Sequence, residues 1–422
     1  MFSNITSSLK SACEFYSNPN FLCFFALGIN SGIPFLLTLS TLSIWLSESG
    51  LSVTHIGLFT GVSLPYALKF LWGPLIDQTN PPKFLQKLGR EKTWGLVAQL
   101  GLVFSLTTLA FLNPKTHLLY IAIVSISAAL FSSIQDTVVD SLRIQILSKN
   151  KLIGGGAASS AAGFRLGMMI SGAGAVYLSM FIGWSGAYLT MALCCTIGGL
   201  GLYALPTLHY STTPQTLSLI KPWLELIKIP GFIYLISFIF FIKIANTVMN
   251  SMSAPFLLEI GFSKLEYTSI SKVFGVSLTI LGNLIGGLMV HRTSASHTLL
   301  IAALCQGLAC LLFAGQSIIG YNFNYLIIVL TLESFSSGLL ATGFISYLSE
   351  FCTKSYCATH FTLLYAIGSL TRIIISMSAG WVADYYSWFW LFLGSSITII
   401  PAIYILFYIS RLNLKSRQIL DS

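Results

Sequence analysis

The sequence predicts an all-α membrane protein: 12 transmembrane helices in two pseudo-symmetric six-helix halves, with both termini cytoplasmic. Three observations predict it. First, of 422 residues only 8% are charged while 55% are hydrophobic, against about 25% charged in a soluble domain. Mean hydropathy is +0.81. The chain lacks the charge to solvate a surface of its size, which excludes a soluble enzyme, a disordered protein and a nucleic-acid binder. Second, twelve apolar segments can be marked, each long enough for a span of roughly 20 residues. Third, one stretch of the first half recurs in the second.

The segments run over residues 20–47, 54–76, 93–113, 117–147, 153–180, 184–206, 229–258, 263–290, 296–319, 322–351, 355–382 and 387–410. The longest polar stretch follows the sixth. The chain therefore divides into an N-terminal half (1–206), a cytoplasmic linker (207–228) and a C-terminal half (229–422). The first apolar run, Phe21 to Leu46, is too long for the core of a cleaved signal and fits a retained span. Basic residues set the orientation. One set of loops and both termini hold Lys10, Lys83, Lys87, Arg90, Lys92, Lys149, Lys151, Lys221, Lys228, Arg292, Lys354, Arg411, Lys415 and Arg417, whereas the opposite loops hold only Lys115 and Lys264. Both ends are thus expected in the cytoplasm, which requires an even number of spans. The net charge of +9 lies largely in these short loops and forms no stripe for nucleic acid.

The repeat is local, with two of its three matches at one offset. Pro34-Phe35-Leu36-Leu37 matches Pro255-Phe256-Leu257-Leu258, and Gly61-Val62-Ser63-Leu64 matches Gly275-Val276-Ser277-Leu278. Gly73 pairs with Gly287 at the same offset. Two related six-helix halves are the architecture of transporters that rock about a central site.

Ionisable residues inside spans are costly and usually face a polar cavity. Here they are Lys69, Asp136, Asp140, Arg143, Arg165, Lys243, Lys272, Glu333 and Arg372. They fall on spans 2, 4, 5, 7, 8, 10 and 11, and none falls on 3, 6, 9 or 12. Asp136, Asp140 and Arg143 are spaced i, i+4 and i+7, which puts them on one helix face. Arg165 on span 5 and Asp136 both lie roughly 17 Å deep at 1.5 Å per residue, so a pairing between them is expected, with Lys69 near the depth of Asp140. Two compatible readings remain: a salt-bridge cluster that fixes spans 2, 4 and 5, or a proton-carrying aspartate beside arginines that anchor substrate. Six cations against three acids leave a net positive interior, which favours an anionic substrate, arginine being suited to carboxylate or phosphate.

Other features read as structure. The run Gly154 to Ser160 lacks a phosphate loop's Gly-Lys-Ser/Thr and instead allows close helix packing, as do Gly163/Gly167 and Gly282/Gly286. Eight cysteines form no C-x-x-C pair, so neither a zinc site nor a disulfide framework is indicated. No histidine pair is spaced for a metal. His55, His117, His209, His291 and His297 sit near span ends, while His360, a little inside span 11, is a proton-relay candidate. Tyr66, Trp72 and Tyr365 are candidate sugar-facing aromatics.

At this point the motifs resemble a known family. Gly73-Pro74-Leu75-Ile76-Asp77, followed by Gly89-Arg90-Glu91-Lys92, is similar to the loop between spans 2 and 3 of the major facilitator superfamily, with Gln78 where the family carries arginine. In that family the aspartate and basic residues form a cytoplasmic latch, for which Asp77 and Arg90 are the matching positions. More closely, the stretch Pro65 to Asp77, Gln135-Asp136 with Asp140 and Arg143, Gly163 to Met168, Ala358 to Leu364, and Gly380 to Asp384 resemble AmpG-type permeases of the acetyl-coenzyme A transporter branch.

The resemblance implies a major facilitator fold and no enzyme activity. It implies proton-coupled symport of anhydro-muropeptides (N-acetylglucosaminyl-1,6-anhydro-N-acetylmuramyl peptides) from periplasm to cytoplasm across the bacterial inner membrane, for cell-wall recycling. No cofactor is expected; the proton gradient is the energy source. The expected partners are the lipid bilayer and an anionic sugar-peptide, with no nucleic acid, and the chain is expected to be monomeric. Asp136 and Asp140 are the proton-coupling candidates. Lys69, Gln135, Arg165, Lys243 and Arg372 are the substrate-binding candidates, and Asp77, Arg90 and Arg143 have gating or structural roles. Two other functions are open: transport of a different anion such as an acyl-coenzyme A or a nucleotide, and a membrane sensor that keeps the fold without transporting.

Overall fold

The computed structural model describes residues 11–79, 82–147, 152–208, 218 and 220–420. Lys10, Lys149, Lys151 and His209 lie outside the described residues, as do the side chains of Lys83, Lys272, Lys415 and Arg417. Among the described residues all regular structure is helical. Nine helices among the described residues are long and apolar enough to cross a membrane: Pro19–Glu48, Arg90–Ala110, Leu118–Leu147, Ile153–Ala204, Phe232–Glu259, Ala295–Ile319, Phe323–Ser349, Lys354–Tyr386 and Trp388–Arg411. Their outward faces carry large apolar side chains such as Leu100 (70% exposed), Phe104 (74%), Met180 (75%) and Met377 (78%). Hydrocarbon, not water, is the solvent for such a surface.

Local chemistry sets where helices begin and break. Pro19 occupies the first turn of Pro19–Leu37, where its missing N–H costs nothing, and the Asn18 side chain accepts from Asn20 N at 3.0 Å. Ser294 and Asn322 cap the helices that follow them through His297 N and Tyr325 N, both at 3.1 Å. The 52-residue stretch Ile153–Ala204 is interrupted at Gly183, whose φ of 70° and ψ of 171° are open to glycine and not to an L side chain.

The segment from Val53 to Gln78 is a chain of short pieces. Helices Val53–Leu58, Leu64–Ala67 and Gly73–Gln78 are joined by 3₁₀ turns at Phe59–Ser63 and Lys69–Leu71. Pro65 and Pro74 each remove a backbone donor, which accounts for the breaks. Its partner in the repeat is also irregular: helix Lys264–Thr268 passes through a π turn, Ser269–Phe274, before Gly275–Arg292. A further π turn lies at Ile170–Gly174. Such turns realign side chains within a helix and recur at functional sites.

The chain forms two compact units. One comprises Met1–Pro222 with Cys352–Thr362, the other Trp223–Phe351 with Leu363–Ser422. In the first, Pro19–Leu37 packs on Ile153–Met169 through glycines: a Cβ at Gly28 or Gly32 would run into the Ser160 or Phe164 carbonyl, and one at Gly163 or Gly167 into that of Phe25 or Ile29. In the second, Gly282 and Gly338 bring Gly275–Arg292 against Phe323–Ser349 in the same way, at the Phe335 and Thr279 carbonyls. Small residues let helix backbones approach where lipid supplies no hydrophobic force between them.

Each unit also has a buried polar tie. In the first, Gln99 Oε1 accepts from Asn30 Nδ2 and Gln135 Nε2, both at 2.7 Å, and Gln99 Nε2 donates to the Cys195 carbonyl at 3.0 Å. In the second, Gln306 Oε1 accepts from Ser336 Oγ at 3.0 Å, and Gln306 Nε2 contacts Met249 Sδ at 3.7 Å. Gln99→Leu would strand two buried amides and a carbonyl. A loss of about 1–3 kcal/mol is expected, measured as a lower unfolding midpoint in detergent, whereas an unchanged midpoint would contradict the tie.

Candidate functional site

In the first unit the charged side chains converge on Asp140. It lies on Leu118–Leu147. Arg143, one turn further, donates from Nη1 to Asp140 Oδ1 at 2.7 Å. Lys69 Nζ lies 3.8 Å from Asp140 Oδ2. Lys69 sits in the 3₁₀ turn of the broken segment, so the break between Pro65 and Pro74 is where its ammonium enters the cluster. Asp136 belongs to the same group: Lys69, Asp140 and the Ser31 hydroxyl act on it. Tyr66, four residues after the Val62 contact with the core, brings its hydroxyl beside Ser132, Thr38 and Asp136. Trp72 donates from Nε1 to Ser133 Oγ at 3.1 Å, holding the broken segment against the aspartate helix. Two carboxylates and two cations make the group neutral when both acids are ionised.

Two expected contacts differ from this arrangement. Asp136 is grouped with Lys69 and Asp140 and not with Arg165, which is half-buried on Ile153–Met169. Gln135 is 2% exposed; its Nε2 donates to Gln99 Oε1 in the tie, while its own buried Oε1 has no partner among the described residues. Successive helix residues point about 100° apart, so Gln135 faces the interior of the unit when Asp136 faces the charges.

A second constellation lies where Gly73–Gln78 meets the first turn of Cys357–Tyr386. Asp77 Oδ1 accepts from Ala358 N at 3.1 Å, and Oδ2 accepts from Thr359 N at 2.8 Å and Thr359 Oγ1 at 2.7 Å. These N–H groups have no partner within their own helix, and the positive end of the helix dipole favours a carboxylate there. Gly73 permits the approach: a Cβ would stand 2.7 Å from Thr359 Cα. Asp77 is 1% exposed, and the Arg90 guanidinium is part of its electrostatic surroundings. Arg90 Nη2 also pairs with Glu91 Oε1 at 3.3 Å, and Glu91 accepts from Gln145 Nε2 at 3.3 Å.

Gln78 has a use that arginine could not fill. Its Nε2 donates to the Ser218 carbonyl at 2.9 Å while its Oε1 accepts from Ser218 N at 2.7 Å. Guanidinium only donates. His360, the relay candidate, is held at both ring nitrogens. Thr353 N donates to Nδ1 at 3.3 Å, which leaves the proton on Nε2, and Nε2 donates to the Pro222 carbonyl at 3.0 Å. It is fully buried, and these contacts tie the backbone at Thr353 and Pro222 to its ring.

In the second unit Lys243 Nζ stands 4.0 Å from the centre of the Phe344 ring, and Arg372 acts on it electrostatically. Glu333, the acid of that unit placed inside a span by the sequence, accepts from Ser334 Oγ at 3.1 Å. Glu91, Gln145 and Thr359 were not singled out by the sequence. Glu91 lies between two basic residues and reads as a loop charge, although it is 1% exposed. Thr359 lies 282 residues from its partner Asp77, a distance no periodicity spans.

Long helices that present apolar faces outward, with charged side chains gathered on spans within each unit, define a multi-pass membrane protein. The comparisons agree. The family model for the Major Facilitator Superfamily matches residues 21–314 and 236–419. The anhydromuropeptide permease of Escherichia coli K12 is 30% identical over 414 residues, covering 96% of this chain and 83% of that one. A Rickettsia felis protein that carries the name AmpG 2 is 32% identical over 391 residues, covering 92% and 95%. Two solved structures share the fold. The human organic anion transporter MFSD10 superposes with a TM-score of 0.66 at 15% identity, over 93% of this chain and 99% of that one. A bacterial homologue of the iron transporter ferroportin, in its outward-facing state, gives 0.69 at 11%, over 93% and 98%. The chain belongs to the Major Facilitator Superfamily, a family of transporters and not of enzymes, and is related within it to the AmpG and anhydromuropeptide permeases.

Removing the Asp77 carboxylate by Asp77→Ala uncaps Cys357–Tyr386. A cap is worth about 1–2 kcal/mol, so amide hydrogen exchange at Ala358 and Thr359 is expected to quicken roughly tenfold. Unchanged exchange there would show that Asp77 does not cap the helix.

Proposed function

We propose that the protein is a proton-coupled symporter that imports anhydro-muropeptides from periplasm to cytoplasm across a bacterial inner membrane, feeding cell-wall recycling. The relation to the E. coli anhydromuropeptide permease over nearly the whole chain supports the cargo. The fold fits 12 spans. Gly183 divides Ile153–Ala204 into two, and the irregular segments from Val53 to Gln78 and from Lys264 to Arg292 serve as spans 2 and 8. The basic loops then place both termini in the cytoplasm.

The observation that carries the coupling is the charge balance around Asp140. Lys69 and Arg143 offset Asp136 and Asp140, and Arg143 is committed to Asp140 at 2.7 Å. A proton taken by Asp136 leaves the group at +1. In a site of low dielectric that excess charge favours entry of an anion. Lys69, released from one carboxylate, is then the side chain that meets the cargo. Proton and anion therefore enter together because neither leaves the cluster neutral alone. Arg165, Lys243 and Arg372 are further anchors for the cargo's carboxylates. Asp77 and Arg90 act as the cytoplasmic latch, with the N-terminus of Cys357–Tyr386 as the element they hold. A different anionic metabolite is the second reading, because Lys243 and Arg372 recognise charge and not sugar.

Asp136→Asn fixes a neutral side chain at the proton site. Gradient-driven accumulation of labelled muropeptide is expected to vanish, while exchange of labelled for unlabelled cargo across proteoliposomes persists. Accumulation at the wild-type level would remove Asp136 from the mechanism.

A further inference from the structure

Lys243 and Arg372 stand out among the intramembrane charges because no acid among the described residues pairs with them. None of the ion pairs among the described residues includes either side chain. What acts on Lys243 is Arg372, a charge of the same sign. The fold brings them together on purpose-built contacts. Lys243 lies near the middle of Phe232–Glu259 and Arg372 near the middle of Cys357–Tyr386. Gly368, one turn before Arg372 on the same helix face, takes the lysine stem: a Cβ there would stand 3.3 Å from Lys243 Cε and 3.5 Å from the Phe344 ring. The ammonium rests on that ring, a partial offset to its charge. Arg372 itself is exposed at mid-helix, where a guanidinium belongs in a water-filled cavity and not in lipid. The polar face continues one turn beyond Lys243, where Asn246 Nδ2 donates to Ser337 Oγ at 3.2 Å.

We propose that Lys243 and Arg372 form an anion subsite of the second unit that binds a doubly ionised group, two carboxylates carried close together on the cargo, and that it selects cargo by that charge. Two uncompensated cations call for two negative charges. Arg372 supplies a planar fork that matches a carboxylate, and Lys243 supplies a movable point charge for the second. The aromatic ring and Gly368 hold Lys243 in place before the ligand arrives, which lowers the cost of ordering it. This subsite deepens the proposed muropeptide reading by assigning the peptide carboxylates to one place in the molecule. The subsite does no proton chemistry, so binding there does not require the gradient.

The test uses the full chain in lipid nanodiscs and reads the thermal unfolding midpoint with added ligands at millimolar concentration. The probes are glutarate, its diamide, acetate and inorganic phosphate. Glutarate is expected to raise the midpoint, acetate to do so weakly, and the diamide to leave it unchanged. Lys243→Gln and Arg372→Gln should each weaken glutarate binding at least tenfold, while Lys243→Arg keeps it. Should Lys243→Gln fail to fold, Arg372→Gln decides the matter, because its exposed side chain leaves no cavity. Equal protection by glutarate and its diamide, or undiminished glutarate binding in Arg372→Gln, overturns the proposal. Protection by phosphate without glutarate overturns the carboxylate assignment. Muropeptide uptake that fails while glutarate binding still depends on both cations would remove the cargo reading and leave the subsite standing.

Discussion

A charge in hydrocarbon must be met by another charge, by hydrogen bonds or by water, and the arrangement of this protein follows from how each of its buried charges is met. Asp140 is the clearest case. It takes Arg143 from its own helix and Lys69 from a segment that proline has broken into short pieces. The break at Pro65 and Pro74 would be a defect in an isolated helix. Here it delivers a lysine to the aspartates and then, eight residues later, delivers Asp77 to the bare N–H groups of Cys357–Tyr386. One irregular segment thus serves both the charge cluster and the capped helix.

The two units settle their charges differently. In the first, two acids and two cations reach balance, and the balance is what a proton disturbs. In the second, Lys243 rests on an aromatic face beside Arg372, and neither has an ion pair among the described residues. In the proposed symport of H⁺ with an acidic solute, the first is the cluster that a proton turns positive and the second is the pair that takes an anion. The buried glutamine ties and glycine-lined helix contacts fix the helices of each unit against one another, as the proposed coupling requires, because charges must shift between discrete arrangements and not drift.

Much of this was legible in the sequence, and the reasons are physical. Helical periodicity put Asp136, Asp140 and Arg143 on one face, and the structure shows Arg143 bonded to Asp140. Depth counting brought Lys69 to the level of Asp140, where it is found. Glycine spacing indicated close packing at Gly163 and Gly167, where the structure leaves no room for a Cβ. What periodicity could not supply is rotation of one helix relative to its neighbours. That Gln135, adjacent to Asp136 in the chain, turns its Nε2 toward Gln99 is therefore seen only in the structure. Depth alone also paired Asp136 with Arg165, although Lys69 is the cation beside it. His360 looked ionisable and available until both ring nitrogens were seen to meet backbone groups. The motif containing Asp77 and Arg90 pointed to a latch, but its receiving groups, the N–H of Ala358 and Thr359, are backbone atoms that no side-chain pattern reveals.

The central claim is that this chain moves an anhydro-muropeptide inward at the expense of a proton gradient. The most direct measurement is uptake of labelled anhydro-muropeptide by cells that lack their own permease and express this protein, with and without a protonophore. The account predicts uptake above the empty-vector level that collapses when the protonophore is added. Uptake that survives the protonophore would contradict the coupling, and no uptake by protein shown to be in the membrane would contradict the cargo.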